Sequence, residues 1–494
     1  MQRFKPAIAI GHTPSRFVSA QIGWRAPLLA VTLLLGIMGR IGYSWNAPLW
    51  FDEGFSAVIA TQLDFASLLR WCLTELTGPA FYMPLWIWVK LVGSSDFALR
   101  LPSLVLSLVG PLLILWKGSA DREIRFWWTI FALLWVPMFV LAGKARPYPQ
   151  MFVLGTLQAI AFVALLETPT TARATKWIAL SVLLILTHYA AAVPCIVQGL
   201  AYLAYHRFRA VRTWPAALLL VPLAAWASVH LPMVFAITFA PDSPYSGMPI
   251  SAALYIPAML LGINLTATII LAVIAGSIAL LGLRRKPRVT PELVLALCGV
   301  ASVVLLLVFG FTQAWFAPRY MMPTIPSLLF GFALWARWMA ERDARPLLVV
   351  MAMMLSTASG AVWSILTEPG GDVRHLFNLQ RPSAWLAEKR PTRLVMFWDG
   401  PTGALTSDEH LDQVGGFFLR REGAPLSVRI ARAGTHDDPN RAVLDLAQAN
   451  SAILWTANNK LPDSRAPRIE RYDRRYECRD FGAGQLTMTA CRPR

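Results

Sequence analysis

Over its first 366 residues the chain is a succession of apolar blocks about 20 residues long, the length at which one α-helix crosses a hydrocarbon layer about 30 Å thick. Backbone N–H and C=O groups find no water inside a bilayer, so each block must close its own hydrogen bonds as a helix. Composition agrees: 56% of the 494 residues are hydrophobic, against about 45–50% in soluble domains. Residues 367–494 hold no such block and carry mixed charge, turn residues and short apolar runs. The expected fold is therefore mainly α: a polytopic membrane helix bundle followed by a small α/β domain. Its parts are an N-terminal tail (1–26), a membrane domain (27–366) with a first outer loop (46–96), and the soluble domain (367–494).

Orientation follows from the basic residues, which accumulate on the cytoplasmic side of short loops. Arg3, Lys5, Arg16 and Arg25 precede the first block and place the N-terminus in the cytoplasm. Spans are expected at 27–45, 97–116, 126–142, 149–166, 177–189, 190–205, 214–238, 266–283, 291–311, 320–336 and 346–366, about eleven in all. With that number, Lys117/Arg122/Arg125, Arg173/Lys176, Arg207/Arg209/Arg212, Arg284/Arg285/Lys286/Arg288 and Arg337/Arg342/Arg345 all face the cytoplasm. The segments near Lys144–Tyr148, Pro241–Pro249 and Gln313–Tyr320, and the whole soluble domain, then lie outside, as in a bacterial inner-membrane protein with a periplasmic C-terminal domain. The pair 177–189 and 190–205 could instead form one long helix, which would change the parity of the count. Between Asn46 and Asp96 the apolar runs are shorter than a span and broken by charge, as suits helices lying at the interface.

The net charge of +17 is spread over these loops rather than gathered on one face, which argues against a nucleic-acid partner. The first block is long enough to span and is read as a retained signal anchor. Among five cysteines no CxxC or Cys/His metal spacing occurs. Cys478 and Cys491 flank a strand-turn-strand pattern, leaving two readings open, a disulfide or two thiols. In the soluble domain, strands are expected at RLVMFWDG, LSVRIAR and SAILWTAN, and helices near 382–389, 409–421 and 439–450.

Several short motifs carry chemistry. APLWFDEGFSA places Asp52 and Glu53 just beyond the first span, where ionisable groups near membrane depth are costly and commonly functional. AGKARPYPQ places Lys144, Arg146 and Tyr148 on the same outer side, against the orientation rule, and a phosphate is a natural partner for such cations. WFAPRYMMP adds Arg319 and Tyr320, and LLILTHYAA adds His188 and Tyr189 at a span end. The bland alternatives are interfacial loop acids, snorkelling cations and a structural histidine. Taken together, a carboxylate facing a basic cluster suits transfer from a sugar-phosphate lipid: the acid accepts an acceptor hydroxyl's proton while the cations stabilise the leaving phosphate.

In order and spacing these motifs resemble the GT-C superfamily of membrane glycosyltransferases, in its dolichyl-phosphate-mannose protein mannosyltransferase-like and aminoarabinose-transferase-like branch. The resemblance covers most of residues 27–340. It runs through the acidic pair Asp52 and Glu53, the GSSDFALRLPS stretch from Gly93 to Ser103, Ala145-Arg146 with Tyr148, His188-Tyr189 and Arg319-Tyr320. It implies an undecaprenyl-phosphate-type sugar donor, an outer-face active site acting on an envelope lipid, glycan or protein, and Asp52 as catalytic base or metal-contacting acid. Glu53 would support Asp52, Arg146 and Arg319 would hold the donor phosphate, and Lys144, Tyr148, Tyr320 and His188 would contact it. Two stretches depart from the pattern. Relatives commonly carry His-Pro-Pro where this chain reads Thr77-Gly78-Pro79, and an acid where it has Lys144. A divalent metal stays open as a cofactor, with Glu75 the substitute for a missing second acid. The rival from another class is a transporter or lipid flippase whose charges line a translocation path.

Overall fold

The computed structural model describes residues 16–44, 48–238, 250–282, 289–312, 318–367, 379–398, 408–423, 426–432, 438–458, 467–481 and 486–494. The expected placements of Arg3 and Lys5, of 241–249 and of the basic run 284–288 lie outside the described residues. Each expected span has a helical counterpart. By length and composition, seven described stretches suffice to cross a membrane: Gly23–Gly42, Asp96–Lys117, Tyr148–Glu167, Tyr189–Ala236, Asn264–Leu281, Pro291–Phe311 and Arg345–Thr367. Large apolar side chains such as Leu112, Val300 and Val304 are exposed on outward faces, where lipid rather than water would meet them.

The stretch expected as one span over 126–142 is broken in two, Arg122–Leu133 and Pro137–Ala142. Pro137 has no N–H to return to the Leu133 carbonyl four residues back, so that carbonyl needs another donor. Arg40, fully buried in the first helix, supplies it: Nη1 donates to Leu133 O at 3.0 Å and to Gly36 O at 2.9 Å, and Nη2 donates to Ala132 O at 2.8 Å. A guanidinium within the bundle is thus tied to carbonyls that a helix break sets free. The 177–205 region forms two helices, Thr171–Thr187 and Ala192–His206, parted at His188, whose backbone is extended (φ −163°, ψ 131°).

The helices give the bundle two unlike ends. At one end Arg25 meets Glu123 at 2.5 Å and Arg337 meets Asp121 at 2.8 Å, among the basic loops. At the other end lie the short helices Phe51–Ala60, Phe65–Cys72 and Pro79–Val92, none of which is long enough to span. The loop between them is pinned to the bundle where Thr77 pairs with His188 in an antiparallel bridge and Gly78 N–H donates to Thr187 O at 3.0 Å. Gly78 is required there, because a Cβ would lie 2.0 Å from the Leu186 carbonyl oxygen.

A small C-terminal sheet with its helices packs against that same end. Its five strands are β1 (Arg393–Trp398), β2 (Ser427–Arg432), β3 (Ser451–Asn458), β4 (Tyr476–Asp480) and β5 (Leu486–Pro493), in the order β2-β1-β3-β5-β4. β1 pairs in parallel with both β2 and β3, so the connections must cross over, and helices Asp408–Arg421 and Pro439–Leu446 lie in them. β5 is antiparallel to β3 and β4, and a disulfide joins Cys478 to Cys491 at facing positions of β4 and β5. Alternation along β1 divides the core. Val395 and Phe397 pack with Val443 and Ile469 on one face, while Leu394, Met396 and Trp398 share a cluster with Leu49, just before helix Phe51–Ala60, and with Phe55 and Ile59 within it. One apolar cluster therefore joins the C-terminal sheet to the short helices of residues 51–92.

Candidate active site

The site forms where the segment that follows the first helix, the loop before Tyr148 and the segment Pro318–Thr324 converge. Helix Phe51–Ala60 begins at the acidic pair, with Asp52 and Glu53 in its first turn, where carboxylates favour the helix N-terminus. Adjacent residues on a helix point about 100° apart, so the pair takes two different environments. Glu53 turns inward and is 1% exposed. Its carboxylate accepts from Arg100 Nε and Nη2 at 2.8 Å each, from Trp50 N–H at 2.9 Å and from Ala145 N–H at 2.8 Å. With these donors Glu53 is a brace between three segments, and a bidentate pair buried this deeply is costly to break.

Asp52 turns outward, with its side chain 22% exposed, and Oδ2 lies 3.4 Å from Arg319 Nη2. Arg146 is buried behind it, donating to the Asp52 carbonyl at 3.2 Å and to Tyr82 Oη at 3.3 Å, and facing Glu75 at 3.4 Å and Thr77 Oγ1 at 3.4 Å. The Tyr82 hydroxyl donates to Glu75 Oε2 at 2.8 Å. Every side-chain contact of Arg146 in this set is long, and the Nε–H groups of both Arg146 and Arg319 are buried without a hydrogen-bond partner among the described residues. Orphaned cationic donors of this kind are what an anionic ligand would satisfy.

Trp50 gathers the other cation. Lys144 Nζ lies 4.5 Å and Arg319 Cζ 5.3 Å from its ring centroid, both within cation–π reach. Burial lowers the Lys144 pKa below the ordinary lysine value, against the opposing pull of Glu53 and Asp52. Tyr148 is buried beside Arg146 and Arg319, and the Tyr320 ring packs at 4.6 Å from that of His188. His188 Nδ1 accepts the Ala190 N–H at 3.2 Å.

The structure thus brings Asp52, Glu53, Glu75, Lys144, Arg146, Tyr148, His188, Arg319 and Tyr320 to one end of the bundle. Cys478 and Cys491 stand apart in the soluble domain. Sequence reasoning overlooked Trp50, Tyr82 and the brace formed by Arg100. An arginine inside a stretch apolar enough to span was the available signal for Arg100, since such a charge requires a buried acid. Nothing about Trp50 distinguishes it from the chain's other tryptophans until its two cations are seen. As for a metal, Asp52 faces Arg319, and Glu75 is turned to Arg146 and Tyr82. Among the described residues no three His, Cys, Asp or Glu side chains gather as ligands. The donor set present does not fit a divalent ion, and no step is derived through one.

A helix bundle with its acidic first loop packed against a C-terminal sheet is a fold this chain shares with solved membrane proteins. The chain is similar in structure to ArnT from Cupriavidus metallidurans in the apo state, at 16% identity over 96% of this chain and 98% of that one, with a TM-score of 0.57. It is likewise similar to the same protein bound to undecaprenyl phosphate, at 15% identity over 95% and 98%, TM-score 0.55. A lesser likeness, at 10% identity over 88% and 69% and TM-score 0.46, is to the oligosaccharyltransferase AglB from Archaeoglobus fulgidus in complex with an inhibitory peptide and a dolichol-phosphate. No protein-family model and no curated protein matches the sequence.

Proposed function

We propose that the chain is a membrane glycosyltransferase that takes a sugar from a polyprenyl-phosphate donor and passes it to a hydroxyl of an envelope acceptor. The observation that carries this reading is the partly exposed Asp52 carboxylate beside Arg319, with Lys144 and Arg319 on the Trp50 ring and the buried Nε–H groups of Arg146 and Arg319 without a hydrogen-bond partner among the described residues. The ArnT fold supports it, since one solved example of that fold is bound to undecaprenyl phosphate. In the proposed step the acceptor oxygen attacks the anomeric carbon. The bond from that carbon to the phosphate oxygen breaks with its electron pair going to the phosphate, and Asp52 takes the hydroxyl proton. Lys144 and Arg319 stabilise the growing charge on the phosphate. Arg146, held by Glu75, Tyr82 and Thr77, backs the Asp52 loop and offers its Nε–H to the same anion.

In this reading the site end is periplasmic, the membrane is the bacterial inner membrane, and about eleven helices cross it. Shorter or broken helices such as Arg122–Leu133 with Pro137–Ala142, and Ile325–Arg342, complete that number beside the long apolar stretches. A transporter would need charge along its path through the membrane, whereas Arg40 is bound to three carbonyls within the bundle and the site's charges lie at span ends.

The test is turnover. Purified protein in nanodiscs, given a radiolabelled polyprenyl-phosphate sugar and an envelope extract, should consume the donor. Asp52→Asn should still bind donor but turn over about 10²- to 10⁴-fold more slowly. Full turnover by that variant removes the base assignment, and a wild-type protein that leaves the donor untouched removes the transferase reading.

A further inference from the structure

The three residues before helix Phe51–Ala60 are each tied by a different side chain. Arg100 Nη2 donates to Pro48 O at 3.0 Å, and Trp50 N–H donates to Glu53 Oε2 at 2.9 Å. Between them, the Leu49 N–H donates at 3.0 Å to Gln380 Oε1, which belongs to helix Gln380–Ala387 of the soluble domain. The other end of the same carboxamide donates to Asp96 Oδ2 at 2.9 Å. Asp96 opens the span Asp96–Lys117, and its second oxygen meets Arg421 Nη1 at 2.6 Å from the far end of helix Asp408–Arg421. Leu49 itself is fully buried and belongs to the apolar cluster shared with Leu386, Met396 and Phe418.

We infer that the soluble domain is part of the machinery that aims Asp52, with Gln380 as a positioning residue for the loop Pro48–Asp52. The inference deepens the transferase reading and rests on it for the role of Asp52. A primary carboxamide is the side chain this place requires, because it must accept from a backbone N–H on one side and donate to a carboxylate on the other. A carboxylate at position 380 would face Asp96 with like charge, and an alanine would leave the buried Leu49 N–H unpaired. Arg421 neutralises Asp96 from the remaining side, so the soluble domain grips the membrane domain through two of its helices at one acid. The placement of Asp52 against Arg319 then depends on the seating of a domain whose own strands carry none of the proposed site residues.

Hydrogen–deuterium exchange on the full chain in nanodiscs tests this without requiring turnover. The peptide covering residues 48–54 should exchange about tenfold faster in Gln380→Ala, as expected on losing one buried hydrogen bond. Gln380→Glu alone should do the same. The double variant Gln380→Glu with Asp96→Asn exchanges donor and acceptor while keeping the total charge, and should restore wild-type protection, which guards against a trivial folding defect. Unchanged protection in Gln380→Ala, or no restoration in the double variant, overturns the inference. Undecaprenyl phosphate titrated into the wild-type protein in parallel separates the two ideas. Failure to bind would remove the transferase reading and with it the catalytic meaning of the clamp, while the exchange data alone decide whether the clamp exists.

Discussion

Trp50 holds two cations that would otherwise repel each other, and this makes it the residue through which the site is most easily disturbed. Each cation–π contact is worth about 0.5–2 kcal/mol. Trp50→Leu should therefore weaken undecaprenyl phosphate binding by about 2- to 30-fold, the worth of one such contact, while Trp50→Phe, which keeps an aromatic face, should retain most of the affinity. Titration in nanodiscs distinguishes these outcomes, and equal affinity in Trp50→Leu would show that Lys144 and Arg319 need no platform. Lys144 adds a pH signature. Burial first, partly offset by Glu53 and Asp52, lowers its pKa, so its ammonium form is lost at lower pH than that of an exposed lysine. A phosphate monoester is already dianionic above about pH 6, and binding it favours the protonated lysine. Affinity should accordingly fall as pH rises toward the ordinary lysine range, and at lower pH than an exposed lysine would require. Lys144→Arg, whose charge does not titrate, should remove the alkaline decline, and an alkaline limb that persists in the variant would assign it to another group.

Among the elements, the break at Pro137 has the clearest physical cause and the clearest test. Arg40→Met deprives the Ala132 and Leu133 carbonyls of their donor in surroundings without water, and should destabilise the protein by about 2–5 kcal/mol, read as a lowered thermal midpoint in detergent. Arg40→Lys, with fewer and less directed donors, should fall between. An unchanged midpoint in Arg40→Met would mean that the freed carbonyls find other partners. The proline stands plainly in the sequence, yet an apolar stretch from 126 to 142 reads as one helix, because block length does not reveal where a carbonyl can be satisfied by a residue nearly a hundred positions away. Hydrophobic periodicity was enough for the strands RLVMFW, SVRIAR and SAILWTAN, since each is a short apolar run bounded by turn residues. Periodicity left 177–205 open between one long helix and two, and only the charge of the later basic loops favoured the two that form, Thr171–Thr187 and Ala192–His206.

For the whole molecule, the site was legible as a set of unusual residues and illegible as a geometry. Asp52, Lys144, Arg146 and Arg319 stood out because charge at membrane depth needs a reason, but their sequence neighbours gave no hint that Glu53 would be consumed as a brace by Arg100 and Ala145 while Asp52 stayed open. The part played by residues 367–494 was hidden for the same reason. The clamp at Gln380 and Asp96 is made between positions almost three hundred residues apart, and each looks like an ordinary polar residue in its own segment. The fold unites these parts so that the acid, the cations and the C-terminal sheet all meet at one end of the bundle. Imaging the protein in nanodiscs with undecaprenyl phosphate would locate the lipid phosphate relative to that convergence. Phosphate density is expected within hydrogen-bond reach of Arg319 and Lys144, beside the Asp52 carboxylate and beneath the C-terminal sheet; density at the opposite end, among Arg25, Arg125 and Arg337, would overturn the proposed site.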